Sequence, residues 1–212
     1  MRGIIFAGGT IQRGSAVEKA LAQGGLIIAA DSGADAALER GIVPAFVVGD
    51  FDSLAAETRK RLERLGSQFV GVSEEKDETD TELAILTALE QGVHQITLLG
   101  TLGGSRFDHS IANILLLAGF ETLSIELVDG NARGWLLRGP GEALIEGKKG
   151  DLLSLLPLTA AASEVETEDL YYPLRRETLQ FGKPRGISNV LLKSEARVAL
   201  SDGLLLIIHT SI

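Results

Sequence analysis

Three aspartates in short, turn-rich contexts carry the strongest chemical signal in the chain: Asp31 in Ala30-Asp31-Ser32-Gly33-Ala34, then Asp50 and Asp52 in Gly49-Asp50-Phe51-Asp52-Ser53. The D-x-D step follows the apolar run Phe46-Val47-Val48, so two carboxylates fall just past an expected strand end, where hard oxygen ligands can share one Mg²⁺. Asp80 follows another strand-like run, inside the charged stretch Glu74-Glu75-Lys76-Asp77-Glu78-Thr79-Asp80-Thr81-Glu82. Taken alone that stretch also reads as a solvated helix start with an N-cap and helpful negative charge in its first turn. Four acids on one sheet edge repel one another unless a cation joins them. A fourth segment, Leu99-Gly100-Thr101-Leu102-Gly103-Gly104-Ser105-Arg106-Phe107-Asp108-His109, puts a glycine-rich turn between a strand and a helix. Its backbone N–H groups can approach a polyphosphate closely, Arg106 offers a planar fork to phosphate oxygens, and Asp108 can orient that fork or bind metal. Acids and turn together indicate a nucleotide–magnesium site. His109, beside Asp108 at a helix start, reads first as a cap or a donor to a carbonyl and second as a substrate contact; His94 and His209 carry no assigned role.

The elements that must position these residues follow from hydrophobic periodicity. Strands are predicted at Gly3 to Ala7, Leu26 to Ala30, Phe46 to Val48, Gln68 to Val72, Gln95 to Leu99 and Ser124 to Val128. Amphipathic helices alternate with them at Ser15 to Gln23, Ala34 to Arg40, Ala55 to Leu65, Thr79 to Glu90 and Ser110 to Ala118. Such alternation means βαβ units and an α/β fold with a mostly parallel, Rossmann-like sheet flanked by helices. After Asp129-Gly130-Asn131 helical periodicity fades, and short strand-like runs appear at Asp151 to Pro157, Gly186 to Lys193, Ala196 to Leu200 and Leu204 to His209. The expectation is an N-terminal domain over residues 1–130 and a smaller all-β sandwich over residues 131–212. Trp135, the single tryptophan, is expected in the core of the second domain.

Composition narrows the chemistry further. A net charge of −9 argues against nucleic acid or an anionic membrane as partner, since both favour a Lys/Arg surplus. With no cysteine there is no disulfide framework, thiolate catalysis or cysteine-ligated cluster. No apolar run has the length of a membrane span, and the first residues do not read as a signal peptide, so a soluble cytoplasmic protein is expected. No Walker-type lysine motif is present, and no G-x-G-x-x-G follows the first strand.

The ordered set Ala30 to Ala34, Gly49 to Ser53, Lys76-Asp77-Glu78-Thr79-Asp80 and Gly103 to His109 resembles the thiamine pyrophosphokinase (thiamine diphosphokinase) family. The resemblance continues through Leu170-Tyr171-Tyr172-Pro173-Leu174 and Gly186-Ile187-Ser188-Asn189, and so covers nearly the whole chain. It implies an enzyme that moves a pyrophosphoryl group from ATP to the hydroxyl of thiamine, giving thiamine diphosphate and AMP. By match to the family's motifs, Asp50, Asp52 and Asp80 would hold Mg²⁺. Asp31, Ser32, Gly33, Thr101, Gly103, Gly104, Arg106 and His109 would line the ATP site, and Ser188 and Asn189 would hydrogen-bond thiamine. Arg106 with Asp77 or Asp108 would align phosphate or accept the hydroxyl proton, with the choice between the two acids left open. The family pattern further implies a homodimer with its active site at the subunit interface. Three positions depart from that pattern: Ser32 replaces a common glycine, Val190 a frequent glutamate, and Leu152 a frequent aromatic. The alternatives are a related pyrophosphokinase acting on a hydroxymethyl pterin, which would differ in the acceptor pocket, and a non-catalytic nucleotide-binding module.

Overall fold

In the computed structural model, which describes residues 1–71 and 77–212, the chain divides into two compact units, Met1–Gly130 and Asn131–Ile212. The first alternates strands and helices: β1 (Arg2–Phe6), α1 (Ser15–Gln23), β2 (Leu26–Ala30), α2 (Gly33–Glu39), β3 (Phe46–Gly49), α3 (Ala56–Leu65) and β4 (Gln68–Gly71). Then follow α4 (Asp80–Glu90), β5 (Gln95–Leu99), α5 (Phe107–Leu116) and β6 (Ser124–Asp129). All pairings in this unit are parallel, in the order β6-β5-β1-β2-β3-β4. Strands buried on both faces read as continuous apolar runs, and Ile4, Ile5, Phe6, Ile28, Ala29, Val47, Leu98 and Leu99 are all fully buried. From β1 the chain moves outward through β2, β3 and β4, then returns to lay β5 on the other side of β1. The order therefore reverses between β1 and β5, and the crevice past their carboxyl ends is where such a sheet receives a ligand.

Local sequence accounts for the helices that frame this crevice. Thr79 caps α4 by accepting from the Glu82 backbone N–H at 3.2 Å, the Thr-x-x-Glu arrangement of a capping box. Thr81, Ala84, Ile85, Thr87 and Ala88 bury the other face of that helix, which packs on β2 and β3. Helix α5 begins at Phe107, three residues before the predicted start, because Ser110 N–H already bonds the Arg106 carbonyl. Asp108 and His109 thereby enter its first turn. Val72, at the end of the predicted fourth strand, and Glu74, Glu75 and Lys76 of the charged stretch lie outside the described residues.

The second unit is antiparallel throughout: β7 (Ala132–Arg138), β8 (Gly141–Glu146), β9 (Leu152–Pro157), β10 (Ala161–Glu168), β11 (Glu177–Gln180), β12 (Asn189–Val190), β13 (Glu195–Leu200) and β14 (Leu204–Thr210). One sheet runs β12-β9-β14-β7 and the other β11-β10-β13-β8. Their inner faces share a core of Ile145, Leu153, Leu155, Val165, Val198, Leu205 and Ile207, with Trp135 packed against it. The expected α/β class with a smaller β-sandwich is borne out. The predicted strand over Gly186 to Lys193 is not: only Asn189–Val190 is extended, because Arg185 to Ser188 form a turn and Ser188 takes a left-handed φ of 57°. Strands β7, β8, β10 and β11 escaped the reading of apolar runs. In β10, Glu164, Glu166 and Glu168 interrupt the run, although the exposed–buried alternation of a one-sided strand holds from Glu164 to Glu168, past a register shift between Ala162 and Val165. Among the described residues, no helix is long and apolar enough to cross a membrane.

Candidate active site

A cleft of about 420 Å³ opens in the first unit, walled by residues that follow β1, β2, β3, β4 and β5 together with the start of α5. Its floor is backbone. Gly8 and Gly9 follow β1, and a Cβ on Gly9 would fall 2.4 Å from the Gly100 carbonyl oxygen, so the two glycine turns touch in a way only glycine permits. Gly103 and Gly104 continue that turn at left-handed φ values of 80° and 91°. Asn113, buried on α5, donates to the Thr101 carbonyl at 3.0 Å and ties the turn to the helix. The Thr101 hydroxyl is buried and lacks a hydrogen-bond partner among the described residues.

The acids gather at the same edge. Ligand atoms of Asp31, Asp50 and Asp52 lie within 4.8 Å of one another. Asp31 sits in a left-handed turn after β2 (φ 45°) and is only 7% exposed, and its buried Oδ1 has no hydrogen-bond partner among the described residues. Burial pushes its pKa up, a backbone hydrogen bond at Ser32 opposes this, and the nearby Asp80 charge adds to the rise. A Cβ on Gly49 would stand 3.2 Å from both the Asp31 Cβ and Asp80 Oδ1, so a glycine at φ 148° lets the acids close ranks. In the loop after β3, the Asp52 backbone N–H donates to Asp50 Oδ1 at 3.1 Å, and the Ser53 hydroxyl donates to Asp52 Oδ1 at 2.8 Å. A buried carboxylate beside two others, with one oxygen orphaned, fits a hard divalent cation.

At the other end of the cleft's polar lining, Arg106 donates from Nε and Nη2 to the two oxygens of Asp108, at 3.1 and 2.8 Å. That bidentate bond holds the exposed Asp108 carboxyl down at about 2 and fixes the guanidinium plane, leaving the outer edge of the fork for another anion. Arg106 and His109 line the cleft; Asp108 stands behind Arg106.

The structure thus brings Asp31, Ser32, Asp80, Thr101, Gly103, Gly104, Arg106 and His109 to one cleft wall, with Asp50 and Asp52 against Asp31. Gly33 is buried under the turn, where a Cβ would meet the Phe6 carbonyl oxygen at 2.0 Å. Asp77 is exposed in the bend before α4 and does not line the cleft, whereas its neighbour Glu78 does. The grouping of acids also differs from expectation: Asp31 joins Asp50 and Asp52, with Asp80 beside it. The sequence reading passed over Gly8, Gly9, Ser53 and Asn113 as site residues. The signals were a glycine pair after the first strand and a lone amide within the apolar second half of α5.

The second unit has its own cavity of about 260 Å³, lined by Leu155, Tyr172, Pro173, Leu174, Arg185, Gly186, Ile187 and Asn189. The Asn189 carboxamide accepts from the Tyr172 and Val190 backbone N–H groups, each at 2.9 Å, and donates to the Tyr172 carbonyl at 2.7 Å. Asn189 is therefore first a clamp on the Tyr171-Tyr172 loop. Ser188 is exposed outside the cavity lining, and its N–H donates to the Ser154 hydroxyl at 3.0 Å. Leu152 and Val190, two of the unusual positions, are cross-strand partners on β9 and β12.

Comparison with known proteins places these features in a family. Residues 17–128 match the family model "Thiamin pyrophosphokinase, catalytic domain", and residues 143–205 match "Thiamin pyrophosphokinase, vitamin B1 binding domain". The chain is 33% identical over 189 residues to the thiamine pyrophosphokinase of Bacillus subtilis strain 168, covering 88% of this chain and 87% of that protein. The crystal structure of a Bacillus subtilis thiamine pyrophosphokinase superposes with a TM-score of 0.88 at 31% identity, over 100% of this chain and 99% of the other. That of a Geobacillus thermodenitrificans thiamin pyrophosphokinase gives 0.85 at 29% identity, over 100% and 98%. With its acid cluster and glycine turns on one sheet edge, and with both domain models matched in order, the chain belongs to the thiamin pyrophosphokinase family.

Proposed function

We infer that the chain transfers a pyrophosphoryl group from ATP to thiamine, yielding thiamine diphosphate and AMP. The observation that carries this reading is that one chain joins a cleft edged by acids and glycine turns to a segment matching a vitamin B1 binding domain. In the reaction the hydroxyethyl oxygen of thiamine bonds to the β-phosphorus, the bond from that phosphorus to the bridging oxygen breaks, AMP leaves with the electron pair, and the hydroxyl proton is released. Little covalent chemistry is asked of the protein; positioning and charge neutralisation supply the rate.

The residues divide that work. The backbone of Gly8, Gly9, Gly103 and Gly104 approaches the phosphates, Thr101 and His109 add side-chain donors, and the free edge of the Arg106 fork takes a phosphoryl oxygen. Ser32 and Gly33 shape the turn on the nucleotide side. Asp31, Asp50 and Asp52, with Asp80 beside them, would hold Mg²⁺. When bound, Mg²⁺ neutralises the charge that develops on the phosphate oxygens. Asp108 acts through Arg106 by fixing its plane, which makes it a positioning residue and leaves no assigned base among the cleft acids. In the second unit, Asn189 and Ser188 shape the thiamine side, the former by holding the Tyr172 loop against the cavity. We further propose a cytoplasmic homodimer in which the active site forms where subunits meet, as the family pattern implies.

The acceptor is tested by incubating the protein with Mg²⁺ and ATP plus either thiamine or hydroxymethyl-dihydropterin and following AMP. AMP with thiamine alone is expected. AMP with the pterin alone would overturn the acceptor, and tight ATP binding with no AMP from either would indicate a sensor. Sedimentation at micromolar concentration tests the dimer, and a monomer that remains fully active would refute the shared site.

A further inference from the structure

The loop carrying Asp50 and Asp52 contains a residue that the chemistry above does not use. Phe51 stands between the two acids at φ 66°, a left-handed conformation that costs a bulky side chain free energy and persists only when its surroundings hold it. Its half-buried ring meets the Phe69 ring of β4 edge-on, with centroids 5.4 Å apart and planes at 73°. The Arg59 guanidinium of α3 lies over both rings, 5.0 Å from the Phe51 centroid and 5.4 Å from that of Phe69. Glu63, one turn further along α3, holds Arg59 in place at 3.2 Å. A Cβ on Gly71 would come 3.4 Å from Phe51 Cε2, so β4 floors the ring closely.

We propose that the Phe51, Phe69 and Arg59 stack is the positioning device that sets the spacing of Asp50 and Asp52, and with it the affinity of the acid cluster for a divalent cation. The turn at Phe51 folds the loop back so that the Asp52 N–H reaches Asp50 Oδ1 and both carboxylates meet Asp31. Three carboxylates this close repel one another, and a short connection outside any strand or helix gives way first. Ring burial, the edge-on aromatic pair and the cation over both faces oppose that opening. The guanidinium also adds positive charge on the side of the loop occupied by the ring. Phe51 is joined to both acids through the backbone and is a positioning residue. The proposal rests on the cation reading of the cluster, and its test separates the two.

Mn²⁺ binding to the full chain without nucleotide, followed by the electron paramagnetic resonance of the free ion, reads the cluster directly. Phe51→Ala is expected to raise the Mn²⁺ Kd about tenfold, while the ring-keeping Phe51→Tyr stays within about twofold of wild type. In turnover, Phe51→Ala is expected to need more Mg²⁺ for half-maximal rate and to recover most of kcat at saturation. Phe69→Leu, which leaves the acid loop untouched, is expected to raise the Kd about threefold and guards against a misfolded first variant. A Kd unchanged in both folded variants would overturn the proposal alone. A wild-type chain that binds no Mn²⁺ would overturn the cation reading and the proposal together.

Discussion

Two buried aspartates, one in each unit, show opposite solutions to the same problem. Asp31 lies at the cleft edge with one oxygen orphaned, two more acids against it and its pKa pushed up by burial. Asp151, 2% exposed in the second unit, has both oxygens occupied. One accepts from the Lys148 N–H at 2.8 Å and meets His209 Nε2 at 2.9 Å; the other accepts from the Ile212 N–H at 3.3 Å. Burial pushes Asp151 up as well, but these backbone bonds and the His209 ring outweigh it, and its pKa falls. Arg133, stacked 5.0 Å over Trp135, donates to His209 Nδ1, which leaves Nε2 as the proton donor to Asp151. A buried carboxylate that the chain itself satisfies is structure. One that the chain leaves unsatisfied is waiting for a ligand.

Substitutions on the two sides should separate function from stability. The largest effect is expected for Asp52→Asn: turnover falls roughly a thousandfold while thermal unfolding and circular dichroism stay near wild type, since neutralising one member of a crowded acid cluster relieves repulsion. Wild-type turnover in that variant would remove Asp52 from the site. Asp151→Asn should do the reverse. A loss of about 2–3 kcal/mol in denaturant unfolding is expected, with kcat of the folded fraction preserved.

A smaller change is expected at Arg106→Lys. The Asp108 bond and the planar fork are lost together, and kcat falls about tenfold with no measurable change in stability, because the pair is exposed. Equal turnover in the lysine variant would mean that charge alone suffices there. Among the measurable changes in stability the smallest is a gain. In cation-free buffer at neutral pH, Asp31→Asn should raise Tm by about 2–4 °C while removing activity.

The two aspartates should also titrate stability with opposite signs. Asp151, lowered in the fold, contributes stability above the ordinary carboxylate value of 3.8 that is lost as pH falls through its folded value. Asp31, raised in the fold, loses stability as pH climbs above 3.8. Urea midpoints measured across pH 3 to 7 for wild type, Asp31→Asn and Asp151→Asn, without added cation, would expose both slopes. Parallel slopes in all three proteins would erase the contrast.

The same contrast explains what the sequence revealed. Asp31, Asp50, Asp52 and the Gly103-Gly104-Ser105-Arg106 turn were legible because strand ends, glycine and clustered charge are local signals. The parallel sheet was legible for a similar reason, its strands being continuous apolar runs. Asp151 and His209 gave no such signal: they stand 58 positions apart and meet only through the pairing of β9 with β14. Strand β10, with a charged outer face, was hidden because its pattern is alternation and not a run. Which of the four acids stand nearest one another was not legible, since the approach of Asp31 to Asp50 and Asp52 depends on how closely Gly49 lets the loops after β2 and β3 come together. Asn189 reads as a thiamine contact through the family resemblance, and its clamp on Tyr172 was not legible because those hydrogen bonds reach across 17 positions.

Phosphorus NMR of a single incubation with Mg²⁺, ATP and thiamine tests the central claim most directly, because it distinguishes transfer of two phosphoryl units from transfer of one. The expected spectrum shows ATP replaced by AMP and thiamine diphosphate in equal amounts, with the Asp52→Asn protein leaving ATP intact. ADP with thiamine monophosphate, or ATP unchanged in the presence of folded wild-type protein, would contradict it.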